Sequence, residues 1–222
     1  MGRYIFRFIT KRVLVIFFHG YKGNKNELPF LRKYIVKNLK LSFFSFTYGQ
    51  RTKNNEIRNI KNLGQEIQKI IDPIIKEGDF KKVIFIGYSL GGAIALKTVI
   101  NSIIQCDGLV FLSLFDRRKS LLHEKRVLLN QNEDIAPVNL IKKIPKTIPV
   151  VLIHGQNDKS ISSKRSYRVF QKRRSLNTSF IAIPVGHHFT TKTDQDIIKK
   201  TFKFVIKTLL IKSNLKTYTS HT

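Results

Sequence analysis

One serine in this chain lies in a segment that could make it a nucleophile. Gly87-Tyr88-Ser89-Leu90-Gly91 follows the apolar, strand-like run Val83–Ile86 and opens the helix-like segment Leu90–Ile104. A sharp turn from strand to helix exposes a serine at the end of a sheet, and the Gly-x-Ser-x-Gly pattern requires that context. Glycines two positions before and after Ser89 would remove side chains that a strained turn cannot accommodate. We therefore predict that Ser89 is the nucleophile of a serine hydrolase.

A serine nucleophile needs a base and an acid that orients the base. Two strand-like runs farther along the chain end in such residues. Val150–Ile153 leads into His-Gly-Gln-Asn and then Asp158, and Ser179–Ile183 leads into a loop that contains His187. The chain thus supplies the three residue types in the order Ser89, Asp158, His187.

Each of these two partners has a competitor. Asp116 follows the strand-like run Gly108–Leu112 and is a second candidate for the acid. His188 directly follows His187 and is a second candidate for the base, since adjacent histidines cannot both face one serine. Residue types and chain order alone leave both alternatives open.

The apolar run Val13–Phe18 ends in the loop His-Gly-Tyr-Lys-Gly-Asn, which spans residues 19–24. A loop at this place can supply one of the two backbone amides that bind the negative oxygen of a tetrahedral intermediate. The N–H groups of Tyr21 and Leu90 are the predicted pair. Losing one such donor typically costs about 3–4 kcal/mol of transition-state stabilisation.

Taken in order, these segments resemble the α/β-hydrolase superfamily, in particular its compact esterases, lipases and thioesterases. The resemblance runs from about Val13 to about Leu210. It favours Asp158 as the acid, because the residues before it resemble the family's acid loop, and His187 as the base, because the family's histidine commonly follows a glycine. Residues 47–52 read Thr-Tyr-Gly-Gln-Arg-Thr where many relatives carry Asp-Tyr-Arg-Gly-His-Gly, and this departure leaves the substrate class open.

Strand-like runs alternate with helix-like runs along the 222 residues. This alternation predicts a single α/β domain with a mostly parallel sheet and helices on both faces, as the resemblance also implies. The core is expected over about residues 13–210. Helical spacing covers Ile57–Ile74, where Asp72-Pro73 should end or kink the helix, and Ile198–Leu209.

Little or no cap over the site is expected. The connection Ser113–Pro149 contains an ordinary helix at Asp134–Lys143 and leaves few residues from which to build a lid. An open site should accept short or medium acyl groups and show no activation at a lipid interface.

The composition is strongly basic, with 41 Lys and Arg against 14 Asp and Glu and a formal net charge of +27. Such a charge predicts salt-sensitive attraction to anionic membranes or polyanions, although a codon bias toward lysine would produce it as well. No metal-ligand spacing and no phosphate-binding glycine loop occurs, so no cofactor is expected. A single cysteine, the lack of a transmembrane-length apolar run and the lack of a signal-like start favour the cytoplasm.

The sequence therefore favours a hydrolase of small carboxylic esters or thioesters that works through a serine acyl-enzyme. Two alternatives remain at this point. One is a serine peptidase, which would use the same residues, and the other is a non-catalytic binder of anionic membrane or nucleic acid on a hydrolase scaffold.

Overall fold

The computed structural model describes residues 4–48, 60–101, 104–117 and 135–214, with the backbone alone for 60–64 and 211–214. Seven strands form one sheet in the order β1-β3-β2-β4-β5-β6-β7, in which β1 is antiparallel to β3 and all other pairs are parallel. The strands are β1 Tyr4–Arg7, β2 Val13–Phe18, β3 Ser42–Phe46, β4 Lys82–Tyr88, β5 Gly108–Leu112, β6 Val150–Gly155 and β7 Thr178–Ile183.

Six α-helices are described within these ranges. They are α1 Pro29–Lys37, α2 Ile60–Gly78, α3 Leu90–Asn101, α4 Pro137–Leu140, α5 Ser163–Arg173 and α6 Lys192–Asn214. A 3₁₀ turn, Ile141–Lys143, directly follows α4. Six of the strands, β2 to β7, are each followed by a described helix, and that alternation produces the parallel sheet that the sequence predicts.

The sheet is covered on both faces, as predicted. β2 is buried along its whole length, and its alternate residues Leu14, Ile16 and Phe18 pack with α2, α3 and α5. The residues between them pack with α1 and α6 on the other face. A parallel strand buried on both sides needs consecutive apolar residues, which is why β2 reads as an unbroken apolar run.

The final helix α6 packs its apolar stripe into the core. Ile198, Phe202 and Val205 are buried in the cluster on the α1 side of the sheet. Lys200, Lys203 and Lys207 lie on the exposed surface of the same helix. The apolar residues of α6 are therefore buried against the sheet.

Helix α2 corrects one expectation. It continues through Pro73 to Gly78, so the alternative in which Asp72-Pro73 ends the helix is wrong. Proline removes one backbone hydrogen bond from a helix interior. Ile71 and Ile75 lie one turn apart on each side of that gap and are both buried against the core, and their burial offsets the loss.

Other expectations differ at element ends. β1 precedes the predicted core and escapes pattern recognition because it is a four-residue edge strand with mixed exposure. α4 and its 3₁₀ turn are shorter than the predicted helix Asp134–Lys143. Residues 118–134, on which the predictions of a missing cap or lid chiefly rest, lie outside the described residues, as do Ile57 and residues 49–52.

Candidate active site

Ser89 lies at the sharp turn between β4 and α3, with a backbone φ of 51°. A residue with a side chain seldom adopts this left-handed conformation, and such strain concentrates at functional sites. The N–H of Ser89 donates to the carbonyl oxygen of Leu112 on β5 at 2.9 Å, which fixes the turn against the sheet. The local geometry is that of a nucleophile elbow.

The glycines that flank the elbow permit two close approaches. A Cβ on Gly87 would lie 2.4 Å from Cα of Gly92, so this glycine relieves crowding within the turn itself. A Cβ on Gly91 would lie 2.2 Å from the carbonyl oxygen of Phe18, at the end of β2. Gly91 therefore lets α3 begin directly against the loop that carries Tyr21.

His187 and Asp158 are in direct, buried contact. Nδ1 of His187 lies 2.6 Å from Oδ2 of Asp158. A carboxylate only accepts, so Nδ1 donates and the lone pair remains on Nε2. The two loops meet because β6 and β7 are adjacent and parallel and because Gly155 has no side chain. A Cβ there would lie 2.2 Å from the carbonyl oxygen of Val185.

Asp158 accepts hydrogen bonds on both carboxylate oxygens. Oδ1 accepts from the N–H groups of Ser160 at 2.9 Å and Ile161 at 2.8 Å, and Oδ2 also lies 3.1 Å from Nε2 of His154. Burial by itself would raise the pKa of Asp158, but the hydrogen bonds from His154, His187 and Ile161 hold that pKa well below its usual range. The carboxylate is thus ionised at neutral pH and can stabilise a positive charge on His187.

Tyr88, the residue before the candidate nucleophile, ties the elbow to the base loop. Its O–H donates to the carbonyl oxygen of His187 at 3.1 Å, and the same oxygen lies 3.1 Å from Nδ1 of His188. Burial raises the pKa of Tyr88, and the carboxylates of Glu27 and Asp158 raise it further, so the phenol keeps its proton. His187 thus contacts Asp158, the candidate acid, whereas His188 contacts Tyr88.

The loop after β2 carries the first predicted oxyanion donor, Tyr21. The carboxylate of Glu27 accepts the N–H of Gly20 and fills the space beside Gly23, where a Cβ would lie 2.6 Å from it. This contact fixes the path of the loop. The second predicted donor, Leu90, is the first residue of α3, where N–H groups have no acceptor within the helix.

His19 supports the same loop and is buried. Its ring stacks on Tyr48 with centroids 3.8 Å apart, its Nδ1 lies 2.9 Å from the carbonyl oxygen of Gly20, and its Nε2 accepts the N–H of Tyr48. Burial lowers the pKa of His19 to about 4, against the opposing hydrogen bond to Gly20. At neutral pH, His19 is therefore an uncharged scaffold residue.

Asp116, the competing acid, is fully buried among arginines. Its Oδ2 lies 3.3 Å from Nη1 of Arg168 and 3.5 Å from Nη1 of Arg165, and its Oδ1 accepts the N–H of Arg117. The structure places Asp116 in an ion cluster with α5. Asp158 is the carboxylate that contacts His187.

A cavity of about 420 Å³ borders the base loop, and its lining includes Tyr88, His188 and Phe189. A larger cavity of about 870 Å³ lies between β1 and α2, with Phe6 and Phe46 in its lining. The smaller cavity is the one that adjoins the candidate active site. The volume of a cavity therefore does not identify the candidate active site in this protein.

In the part of the chain that the structure describes, no group of three or more His, Cys, Asp or Glu side chains could hold a metal ion. No helix in the same ranges is long and apolar enough to cross a membrane.

Comparison with known proteins places these features in context. Residues 9–115 match the family described as "Putative serine esterase (DUF676)", a range that contains the elbow and the Tyr21 loop but ends before Asp158 and His187. "Putative esterase/lipase 2" from Mycoplasma pneumoniae is 26% identical over 174 residues, which cover 77% of this chain and 59% of that protein. The chain thus spans less than two thirds of that relative's length.

Solved structures match over nearly the whole chain. Est1E from Butyrivibrio proteoclasticus, solved with ferulic acid, has a TM-score of 0.74 at 14% identity and covers 94% of this chain and 95% of its own. A lipase-esterase related protein from Clostridium acetobutylicum has a TM-score of 0.68 at 17% identity, over 91% and 99%. Mouse alpha/beta hydrolase domain-containing protein 10 has a TM-score of 0.65 at 18% identity, and the match covers 93% of this chain and 94% of that protein. These matches show that this chain has the α/β-hydrolase fold.

Three residues of the candidate active site have contacts that the sequence does not predict. Tyr88 occupies a variable position of the elbow pattern, and Glu27 lies in a loop without a recognisable motif. In the sequence, His154 is only the residue that follows the strand-like run Val150–Ile153, yet it contacts Asp158 directly. Its position four residues before the acid is the signal that could have revealed this contact.

Proposed function

We propose that this protein hydrolyses small carboxylic esters or thioesters through a serine-bound acyl-enzyme. Ser89 is the nucleophile, His187 the base and Asp158 the orienting acid. The observation that carries the proposal is the 2.6 Å contact between His187 and Asp158, on a loop that Tyr88 ties to the elbow. The family match over residues 9–115 and the relative named as an esterase/lipase support the ester class.

In the acylation step, Oγ of Ser89 attacks the carbonyl carbon while Nε2 of His187 takes the hydroxyl proton. The negative oxygen of the tetrahedral intermediate is bound by the N–H groups of Tyr21 and Leu90. Asp158 stabilises the imidazolium that forms. Collapse of the intermediate breaks the bond to the leaving alkoxide or thiolate, which takes the proton back from His187.

In the deacylation step, His187 removes a proton from water, and the oxygen of that water attacks the acyl-serine carbonyl. The second tetrahedral intermediate uses the same two amide donors. Its collapse releases a carboxylic acid and returns the proton to Oγ of Ser89. Every proton in the cycle passes through Nε2 of His187, and the reaction consumes only water.

The cavity beside the base loop supports a small substrate, since its lining includes Tyr88 and His188, the neighbours of Ser89 and His187 in the chain. Its volume of about 420 Å³ is near the lower end of ligand pockets, which supports short or medium acyl groups. Phe189 and Leu28 give it apolar lining, and His188 gives it a polar edge. We therefore propose acyl chains of a few carbons as the preferred class.

Hydrolysis of a matched series tests this proposal. A short-chain aryl ester, the corresponding thioester and the corresponding anilide are compared at equal acyl length with the wild-type protein and Ser89→Ala. Ser113→Ala is the matched control, because Ser113 is also a buried serine with φ of 51°, at the end of the neighbouring strand β5.

The expected result is turnover of the ester or thioester that Ser89→Ala loses and Ser113→Ala keeps. Preference for the anilide would favour a peptidase. Equal turnover by the wild type and Ser89→Ala would contradict the assigned nucleophile.

A further inference from the structure

His154 lies at the end of β6 with a fully buried side chain, four residues before Asp158. Its Nε2 lies 3.1 Å from Oδ2 of Asp158 and 2.8 Å from the carbonyl oxygen of Ile161. Its Nδ1 lies 2.6 Å from Oγ of Ser166 on α5, and that hydroxyl lies 2.7 Å from the carbonyl oxygen of Leu114. Both ring nitrogens thus have close polar partners inside the protein.

The hydrogens available to this network can be counted. Nε2 faces two acceptors, so Nε2 carries a hydrogen. The hydroxyl of Ser166 has a single hydrogen, and the carbonyl oxygen of Leu114 can only accept. If Nδ1 of His154 carried no hydrogen, it and Leu114 would compete for that one hydrogen, and a buried acceptor would be left unpaired at a cost.

The count balances when both ring nitrogens of His154 carry hydrogen. Nδ1 then donates to Ser166, Ser166 donates to Leu114, and Nε2 donates toward Asp158 and Ile161. We infer that His154 is held as an imidazolium and acts as a positioning residue, forming a buried His154–Asp158–His187 array. Its effect on catalysis rests on the function proposed above, whereas the proton count does not.

Other charged groups also lie on the elements packed against His154. Asp116 is two residues beyond Leu114, Lys159 is in the acid loop, and α5 carries Lys164, Arg165 and Arg168. The lysines are exposed to solvent, and the two arginines pair with Asp116. Asp158 is therefore the carboxylate in contact with the buried cation.

The cation has a consequence for the base. His154 and Asp158 together are then neutral, so the carboxylate attracts a second proton onto His187 less strongly than an unpaired carboxylate would. His154 also helps to fix Oδ2 of Asp158, since both histidine rings contact that same oxygen.

Ring-nitrogen NMR on the full-length Ser89→Ala protein tests the proton count without any dependence on activity. At pH 7, both ring nitrogens of His154 should show the shifts of hydrogen-bearing nitrogens, with assignment through the backbone. His19 is the internal reference, since burial lowers its pKa to about 4 and its ring has one hydrogen at that pH. A hydrogen-free Nδ1 on His154 would overturn the inference.

His154→Gln tests the positioning role, because glutamine can donate to Asp158 without carrying a charge. The acid-side fall of kcat/KM should move to higher pH by about one unit or more, as expected when a cation within about 4–6 Å of the carboxylate is removed. KM should stay unchanged. Lys159→Gln, which removes an exposed positive charge from the same acid loop, should leave the fall in place.

The outcomes separate the two proposals. An unshifted acid-side fall in His154→Gln would refute the positioning role even if the NMR result holds. A doubly protonated His154 in a protein without ester or thioester turnover would sustain the proton count and reject the proposed function. If His154→Gln does not fold, Ser166→Ala replaces it, since loss of the acceptor for Nδ1 should destabilise the cation and shift the fall in the same direction.

Discussion

Asp158→Asn should remove most of the activity. Oδ1 of Asp158 accepts two backbone N–H groups, from Ser160 and Ile161, so the amide oxygen of asparagine must take that position. The amide NH₂ group then faces Nδ1 of His187 from the Oδ2 position. Two donors cannot pair, so His187 takes the tautomer with its hydrogen on Nε2 and can no longer accept the serine proton.

The expected loss is large. The same substitution in the serine-protease template lowers kcat by about 10⁴-fold through the wrong tautomer, which corresponds to roughly 5.5 kcal/mol of barrier. The assay is kcat and kcat/KM for a short aryl ester at pH 7–8, with circular dichroism to check folding. A variant within tenfold of the wild type would refute the role given to Asp158.

Asp116→Asn is the matched control. It alters the other buried carboxylate, which contacts Arg165 and Arg168 rather than His187. Breaking a buried ion pair by removing one partner typically costs about 3–5 kcal/mol of stability. We expect Asp116→Asn to unfold at lower denaturant concentration but to keep its turnover at 25 °C. The opposite pattern for the two variants would transfer the acid role to Asp116.

The pH dependence of stability should also distinguish Asp158→Asn from the wild type. The pKa of Asp158 is lowered in the folded protein, despite the opposing effect of burial, by hydrogen bonds from His154, His187 and Ile161. The stability that the ionised carboxylate contributes is therefore complete above its unfolded pKa of about 3.9 and is lost as pH falls below that value. The stability difference between wild type and Asp158→Asn should shrink as the pH falls below about 4.

Three further predictions follow from the site. His187→Ala should lose turnover by several orders of magnitude, whereas His188→Ala should keep most of it, as kinetics on one ester will show. Gly91→Ala should lower both stability and activity, because its Cβ would meet backbone oxygen at 2.2 Å, whereas Gly186→Ala has no atom within 4 Å of the new Cβ and should unfold like the wild type in a denaturant titration. In the wild type, unfolding lets the buried ring of His19 take up a proton between pH 6.5 and about 4, and the loss of stability over that range reaches roughly 3 kcal/mol. His19→Gln should flatten this loss in a stability measurement across the same pH range. An unchanged pH slope would contradict the buried, uncharged state of His19.

The sequence predicts the sheet well because its central strands are buried on both faces. Val13–Phe18 and Gly108–Leu112 are recognised with their observed ends. Edge strand β1 lacks a long apolar run, and Pro73 breaks a local rule that burial of neighbouring isoleucines overrides. Local patterns fail where packing from distant residues decides the outcome.

In the candidate site, too, local motifs are predicted from the sequence and long-range contacts are not. Ser89 and the Asp158 loop are visible as motifs, because strand ends and chain order locate them. The contacts of His154, Tyr88 and Glu27 depend on loops from separate strands meeting at one edge of the sheet, and a single sequence does not contain those distances. The His154 proton count, in particular, requires the positions of four groups at once.

Labelling with a fluorophosphonate probe tests the central claim most directly. The probe reacts only with an activated serine, and mass spectrometry of the digested adduct identifies the modified residue. The account predicts one adduct on the peptide that contains Ser89, lost in Ser89→Ala and retained in Ser113→Ala. Labelling of Ser89→Ala at the wild-type rate, or an adduct located on another residue, would contradict it.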